Sequence, residues 1–341
     1  MKGNFESLVA LAQRVEENET KKQDYLFNTK DMEMVDDVDL RIPEGIFNIN
    51  SNAHSQISDR LNIPKKYYDS MAEIPGLRTR NVNAWFEHKK EKRLVRTLDG
   101  NARAFLSDRF KPIDNFLILN GFLPVVQEMN MRVKSCSLTE TKMYMQFIFP
   151  EIKAEVKKGD IVNLGVIMTN SEVGRGAVDV SAVAWRLVCE NGMVGESLLN
   201  KYHTGRRIGD EIQDYNIFAD DTIKAELDSF RKRLRDIFKA VIKDVFFAKM
   251  VDKMKVAAGD IVDDPVETLG NITRRYRFTQ AEEKMVLNNY IAEGDSTRWG
   301  IANSITALAH DIEDRDRQHD VERIGYDIIS LNQSQWKELS A

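Results

Sequence analysis

Residues 160–189, DIVNLGVIMTNSEVGRGAVDVSAVAWRLVC, decide the fold because they hold two β-rich runs joined by a short turn. The runs are residues 161–169 and 177–189, and the segment 171–176 between them contains two glycines. Alternate side chains of the second run are apolar, which is the two-residue period of a strand with one buried face. Parallel neighbours need a long crossover, so this short connection predicts antiparallel pairing.

The same pattern extends in both directions. Residues 132–138 and 142–149 are also β-rich, so the centre predicts an antiparallel β-meander of about four to six strands. Residues 221–258 carry apolar side chains at spacings of three and four, which predicts one long amphipathic helix packed against that sheet. Helical patterns at residues 1–20 and beyond residue 261 complete an α+β fold with helical N- and C-terminal regions. Thr279 and Glu282 have the spacing of a capping box at the start of a helix, and the charged string at 310–320 indicates a solvated helix face or loop.

Three parts follow from this pattern. The pattern predicts an N-terminal helix and an acidic arm in residues 1–45. It predicts an α+β core in residues 46–260 and a C-terminal helical region in residues 261–341. Ten acidic and four basic residues lie between positions 16 and 44. Such an arm either competes for a basic surface elsewhere in the chain or is simply a solvated face.

Composition describes an ordinary globular chain. Of its 341 residues 42% are hydrophobic and 30% charged, and the net charge of −5 argues against a protein that coats DNA non-specifically. No apolar run approaches about 18 residues, so no membrane span is expected. The two cysteines are too few for a disulfide framework, which predicts a cytoplasmic location.

The segment RLVCENGMV, residues 186–194, is the stretch most like an active site. A nucleophilic cysteine needs a lowered pKa and a nearby base. The nearest histidine in sequence is His203, and the carboxylate of Glu190 would raise the pKa of the thiol. We therefore interpret Cys189 as a structural residue that closes a strand, with Asn191-Gly192 as the turn, and predict no catalytic residue.

Motifs for cofactors and metals are weak. Gly174 and Gly176 lack the third glycine and the following helix of a phosphate-binding loop. His310 and His319 are nine residues apart, which does not place both on one helical face. We predict no cofactor and no metal, and a carboxylate–metal site built from residues distant in sequence stays open.

Residues 81–90, 93–100 and 101–107 are strand-like, and Asp99-Gly100 predicts a hairpin turn. Basic and aromatic residues interleave in this region, between positions 78 and 111. Grooves for single-stranded nucleic acid combine cations that follow the phosphates with aromatic rings that stack on bases. A second cluster, KYHTGRR, follows the last predicted strand, where loops commonly bind ligands. A solvated hairpin with core aromatics is the alternative. The predicted nucleic-acid-binding residues are Arg78, Arg80, Trp85, Lys89, Lys90, Lys92, Arg93, Arg96, Arg103, Arg109, Lys111, Lys201, Tyr202, His203, Arg206 and Arg207.

Several motifs together resemble a prokaryotic, phage- and plasmid-like family, domain of unknown function 932. They are RTLDGNARAFLSDRFKPIDN at 96–115, the run at 168–193 with its R-L-V-C-x-N-G-M motif, H-x-G-R-R at 203–207, and WGIANSITALAHD at 299–311. The resemblance covers roughly residues 40–330. It implies a bacteriophage or mobile-element setting and brings no catalytic residues with it.

These observations favour a protein that anneals single-stranded DNA during recombination, without catalysis by side chains. RNA is the alternative nucleic-acid partner. Single-strand annealing proteins as a class pack an antiparallel sheet against a long helix and assemble into homo-oligomers, so the argument is a fold-level analogy. One alternative is a non-catalytic interaction protein, either a host-defence antagonist or a regulator, that uses the acidic arm. A second is a metal-dependent enzyme acting on nucleic acid.

Overall fold

The computed structural model describes residues 7–201, 220–243 and 246–340. Its α-helices are α1 (Leu8–Lys21), α2 (Ser51–Leu61), α3 (Lys65–Ser70), α4 (Leu77–His88), α5 (Asn115–Glu128), α6 (Asp220–Lys243), α7 (Phe246–Gly259), α8 (Pro265–Arg275), α9 (Gln280–Glu293), α10 (Arg298–Ala307), α11 (Arg315–Ser330) and α12 (Gln333–Ser340). Its strands are β1 (Lys22–Asn28), β2 (Glu33–Met34), β3 (Asp39–Ile42), β4 (Gly45–Ile49), β5 (Lys92–Leu98), β6 (Asn101–Ser107), β7 (Arg132–Leu138), β8 (Met143–Lys157), β9 (Asp160–Asn170), β10 (Val178–Arg186) and β11 (Asn191–Lys201). The α+β class is confirmed.

The predicted meander is a five-stranded sheet in the described residues. Its order is β11-β10-β9-β8-β7, and every neighbouring pair is antiparallel. Gly159, at a φ of 82°, makes the tight turn between β8 and β9, a conformation that favours glycine. The strand-rich centre of the sequence therefore folds as its short connections predict.

One face of this sheet is apolar, and the long helix packs against it. Phe147 of β8 lies 5.2 Å, between ring centroids, from Phe122 of α5. Phe122 in turn lies 5.8 Å from Phe238 of α6, and Leu234 and Val241 of α6 are also buried. The predicted amphipathic helix against the sheet is confirmed. The described residues of the predicted 221–258 helix divide between α6 and α7, and residues 244–245 lie outside the described residues.

The opposite face of the sheet is partly polar, and α11 covers it. Tyr144 of β8 donates a hydrogen bond to Asp316, and the amide of Gln146 donates to Glu322 at 3.0 Å. The ring of His319 lies 5.4 Å from that of Tyr144. Residues 310–320 were predicted to be a solvated helix face or loop. A helix does begin at Arg315, but the predicted solvation is wrong for Arg315, Gln318 and His319, which are buried. Polar partners on the strands explain how charged residues of α11 can be buried.

The chain turns earlier after β10 than the sequence predicts. β10 ends at Arg186, residues 187–190 form the turn, and Asn191 begins a fifth strand where a loop was expected. The buried amide of Asn191 donates to Thr306 of α10. This tertiary hydrogen bond holds the Asn-Gly pair in a strand, although Asn-Gly is typical of turns.

The second sheet in the described residues has six strands in the order β1-β5-β6-β4-β3-β2. Among the strands that the structure describes in this sheet, only β4 and β6 pair in parallel. The predicted Asp99-Gly100 turn of the β5–β6 hairpin is confirmed, since both residues have positive φ, 50° and 78°. Strands β1 to β4 come mostly from the segment predicted to be an irregular acidic arm. The three-part division stays a prediction, and β1 of the arm pairs with β5 of the core.

Residues 81–90 were predicted to be a strand, and this prediction is wrong. They lie mostly in α4, which begins after Gly76 at a φ of 70°. Val82 and Phe86, four residues apart, are both buried, and the ring of Phe86 stacks on Phe105 of β6 at 5.8 Å. Packing on the six-stranded sheet therefore selects a helix from a segment whose hydrophobic period is ambiguous.

Candidate nucleic-acid interface

Four residues of the predicted interface lie outside the described residues: Tyr202, His203, Arg206 and Arg207. Lys201 is the last residue of β11, and its backbone pairs with Val178. The predicted second cluster therefore begins at the end of an edge strand, and its binding role stays a prediction.

Arg96 is a buried structural residue in this fold. Its side chain is 0% exposed, and its guanidinium bonds Asp24 of β1 at 2.7 Å and Asp114 before α5 at 2.8 Å. A third hydrogen bond, also 2.8 Å, goes to the backbone carbonyl of Glu172, just after β9. Arg96 thus joins the six-stranded sheet to the five-stranded one, and it has no surface to offer a phosphate.

Glu172 is the centre of this junction. Its carboxylate accepts from Arg103 of β6 at 2.8 Å and from the backbone N–H of Asn115 at 2.7 Å. Arg103 and Glu172 are both nearly buried. A charge held in this way is matched by its partner, so Arg103 also contributes to the join between the sheets.

Two of the predicted cations on α4 point elsewhere. The guanidinium of Arg78 donates to the carbonyl of Asp37 at 2.5 Å and lies 5.3 Å from the centroid of the Tyr68 ring. Arg80 is exposed, but it precedes Trp85 by five residues, or about 140° around a helix that turns about 100° per residue. Arg80 is therefore turned away from Trp85, and the guanidinium of Arg78 is held by Asp37 and Tyr68 although its backbone lies on the same side of α4 as Trp85.

Five more of the predicted cations lie at one end of the six-stranded sheet: Lys89, Lys90, Lys92, Arg93 and Arg109. β5 and β6 are antiparallel, so the start of β5 lies beside the end of β6, with Arg93 opposite Ser107. Lys92 and Arg109 are exposed there. Lys111, two residues further on, is also exposed. We call this surface the basic end, made of Arg60, Lys89, Lys90, Lys92, Arg93 and Arg109.

Helix α4 delivers an aromatic ring to the basic end. Trp85 is 37% exposed, and the Nζ of Lys89 lies 5.1 Å from the centroid of its ring. Lys89 also donates to the carbonyl of Leu61, at the end of α2, over 3.3 Å. A half-open indole beside cations is the combination that stacks a base and holds a phosphate.

Carboxylates partly balance the basic end. Arg93 is paired with Glu91, and burial lowers the pKa of this guanidinium while Glu91 acts in the opposite direction. Lys90 and Glu87 lie 3.8 Å apart, both more than half exposed, so that ion pair is weak. Lys90 therefore keeps most of its capacity to bind an external anion.

Arg60 is the residue of the basic end that the sequence did not indicate. It lies in the last turn of α2, thirty-odd positions before β5, yet its charge acts on Arg93. Nothing in the periodicity of α2 marks it, because an exposed arginine near a helix C-terminus is ordinary. Only the packing of α2 on β6 brings it to this surface.

The geometry at Cys189 supports its interpretation as a structural residue. Its Sγ lies 3.2 Å from Nη1 of Arg186 and 3.7 Å from Glu293. Burial first, together with Glu293, raises the pKa of the thiol, which opposes thiolate formation. Arg186 itself finds buried partners, Asp160 at 2.7 Å and Glu293 at 2.7 Å.

The described residues contain neither a cluster of metal ligands nor a helix that could span a membrane. Within residues 7–201, 220–243 and 246–340, no three His, Cys, Asp or Glu side chains gather as a metal site would require. No helix in the same ranges combines the length and apolar character needed to cross a bilayer.

The comparisons with known proteins give one positive result. Searches of curated proteins and of solved structures found no significant match. A family model described as Domain of unknown function (DUF932) matches residues 104–327, well over half of the chain. The matched range contains the whole five-stranded sheet, whereas most of the basic end lies before it. The chain therefore belongs to the family described as Domain of unknown function (DUF932).

Proposed function

We propose that this chain binds single-stranded nucleic acid at the basic end and anneals complementary strands, without catalysis by side chains. The observation that carries the proposal is that cations from α2, β5 and the residues after α4 and after β6 lie at one end of the six-stranded sheet, where Lys89 lies against the partly exposed ring of Trp85. Of the predicted cations, the proposal keeps those of the basic end and assigns Arg78, Arg96 and Arg103 to the fold.

The mechanism follows from the types of side chain. Lysine and arginine hold the phosphates of one strand, and the indole face stacks on a base regardless of its identity. Contacts of this kind leave the Watson–Crick edges free to pair with a second strand. One basic end offers few contacts, so self-association would multiply them along the strand. The same proposal includes three further points: the chain forms a homo-oligomer, it acts in the cytoplasm of a host cell, and a phage or another mobile element encodes it.

Salt dependence tests the binding step. About four phosphate contacts predict that log K falls by about 3 for each tenfold rise in salt, at about 0.7 per phosphate. Fluorescence anisotropy of a labelled oligothymidine in a salt titration measures this slope. In a variant with Lys89, Lys90, Lys92 and Arg109 changed to Ser, we expect weak binding with a nearly flat slope.

A matched control separates local contact from net charge. Lys158, Arg274, Lys284 and Lys337 are four exposed cations on other elements, and changing all four to Ser alters the net charge equally. The control variant should bind like the parent chain. Equal loss in both variants would show that only overall charge matters, and tight binding by the basic-end variant would refute the proposal.

The annealing step has its own readout. Two complementary oligonucleotides labelled as a fluorescence donor–acceptor pair report duplex formation, and light scattering of the same mixture reports assembly. Binding without acceleration of pairing would favour the non-catalytic interaction protein over annealing. Turnover of the oligonucleotide that stops on addition of EDTA would favour the metal-dependent enzyme.

A further inference from the structure

A cavity of about 470 Å³ opens between the partly polar face of the five-stranded sheet and α11. Tyr144, Thr169 and Asp179 line it from β8, β9 and β10, and His319 and Arg323 line it from α11. Its volume is within the range of about 300–1,000 Å³ that small-molecule sites occupy. The cavity lies against the five-stranded sheet, whereas the basic end belongs to the six-stranded sheet.

His319 is the buried polar group that calls for a ligand. The residue is only 7% exposed, it lines the cavity, and its Nδ1 has no hydrogen-bond partner among the described residues. Nearly all buried polar atoms have a partner, from the protein, a water or a ligand. Burial first, and then the charges of Arg315, Arg323 and Lys142, lower the pKa of the imidazole well below 6.5. His319 is thus neutral at pH 7 and surrounded by positive charge.

Two of those positive charges line the cavity without a direct ion pair, although both lie near enough to Asp320 to lower the pKa of its carboxyl against the effect of burial. Within the described residues, no ion pair involves the side chain of Lys142 or of Arg323, and both line the cavity. By contrast, Arg317, a third cation of the lining, is held by Glu282 at 2.7 Å. A phosphate monoester carries about −1.5 to −2 charges at pH 7, which two such cations balance better than they balance a carboxylate.

Acceptors for hydrogen-bond donors occupy the rest of the lining. Asp179 is nearly buried, and its carboxylate accepts from the hydroxyls of Ser181 and Ser197. Asp320 and Asp327 are exposed lining residues. Hydroxyl and amino groups are the donors that such carboxylates bind, so the ligand should carry them beside its anionic group.

We infer that this cavity binds a small phosphate monoester that also carries hydroxyl or amino groups, either a sugar phosphate or a nucleoside monophosphate. Lys142 and Arg323 contact the phosphate, His319 forms a hydrogen bond to the ligand, and the carboxylates bind its hydroxyls. The site does not depend on the basic end and does not require nucleic-acid binding.

Calorimetric titration of the full chain tests the inference with three probes: AMP, ribose 5-phosphate and adenosine. We expect saturable binding of at least one of the two phosphates, and adenosine at least tenfold weaker than AMP, because it lacks the charged group. The difference between AMP and ribose 5-phosphate tells the two ligand classes apart. Inorganic phosphate should compete with either.

Variants locate the binding. Changing both Lys142 and Arg323 to Gln should weaken phosphate binding by about tenfold for each charge and leave adenosine unaffected. Changing Arg274 and Lys284 to Gln is the matched control and should have no effect. Since Arg323 is exposed, its single variant keeps the test valid if the double variant does not fold.

A spectroscopic readout is independent of affinity. The chain has five histidines, so the imidazole nitrogen signals of His319 can be assigned by comparison with His319→Asn, and they should shift on addition of the phosphate. No saturable binding of either phosphate, or equal binding by the folded double variant, would overturn the inference. AMP should not displace an oligonucleotide from the basic end, which keeps the two proposals distinguishable.

Discussion

Replacing Arg96 with Met removes the cation at the junction of the two sheets while keeping a side chain of similar length. The change leaves Asp24 without its 2.7 Å partner, and the backbone carbonyl of Glu172 loses its 2.8 Å donor. Breaking one side of a buried ion pair costs about 3–5 kcal/mol, because the remaining charge stays buried and unpaired. We therefore expect the free energy of unfolding to fall by about 3–5 kcal/mol.

The pKa of Asp114 gives a second estimate of how much this junction contributes to the stability of the fold. Burial alone would raise it, but Arg96 and Lys22 outweigh burial and lower it from 3.8 to about 2. At about 1.4 kcal/mol for each pKa unit, this carboxylate contributes about 2 kcal/mol at neutral pH. The folded pKa lies below the unfolded one, so the contribution is present above about pH 4 and is lost as the pH falls toward 2. Without Arg96 that acid sensitivity should shrink.

Thermal unfolding followed by circular dichroism measures the effect. For a chain of this size, with an unfolding entropy of about 0.7 kcal/mol/K, we expect the midpoint to drop by roughly 4–7 °C. Arg109→Met removes an exposed arginine and should change stability by less than about 0.5 kcal/mol. The opposite pattern, a stable Arg96→Met variant that no longer binds oligonucleotide, would refute the structural role and restore Arg96 to the interface predicted from the sequence.

Three further predictions concern packing, protonation and capping. Gly165→Ala would place its Cβ 2.6 Å from the carbonyl oxygen of Phe147 and should cost about 1–3 kcal/mol in denaturant titrations, whereas Gly270→Ala, with open space around it, should be neutral or stabilise by up to about 1 kcal/mol. Similar losses in both variants would contradict this packing. His319 stays neutral in the folded chain, whereas in the unfolded chain it takes up a proton near pH 6.5. The free energy of unfolding should therefore decline below that pH by up to about 1.4 kcal/mol per pH unit, and less steeply in His319→Asn. If the free energy of unfolding of the two proteins fell in parallel with pH, His319 would be excluded as the cause. Thr279 and Glu282 form a complete capping box at α9, so Thr279→Ala should cost about 1 kcal/mol and Thr279→Ser much less, and equal stability of all three would count against the cap.

Elements that depend on near neighbours in the chain could be predicted from the sequence. The β-meander follows from two-residue alternation and short turns, the hairpin from Asp99-Gly100, and the start of α9 from its capping box. In each case the interactions that select the structure lie within a few residues, so the sequence itself displays them.

Elements stabilised by distant partners were predicted incorrectly. Residues 81–90 have no clear period, and burial of Phe86 against Phe105 selects the helix. The start of α11 is rich in charge and was expected to be solvated, yet Gln146 and Tyr144 on the sheet provide its partners. A polar residue is predicted to be exposed unless its partner is known, and here the partners are more than 170 positions away.

By itself the sequence determined the class of fold, the central sheet and the presence of a cation-rich segment. Which cations are available to a ligand was decided only by the tertiary structure. Arg96 and Arg109 are the same residue type thirteen positions apart, yet one is enclosed by Asp24 and Asp114 and the other is exposed at the basic end. The physical reason is that an ion pair depends on distance in space, and chain folding sets that distance through contacts between segments that are remote in sequence.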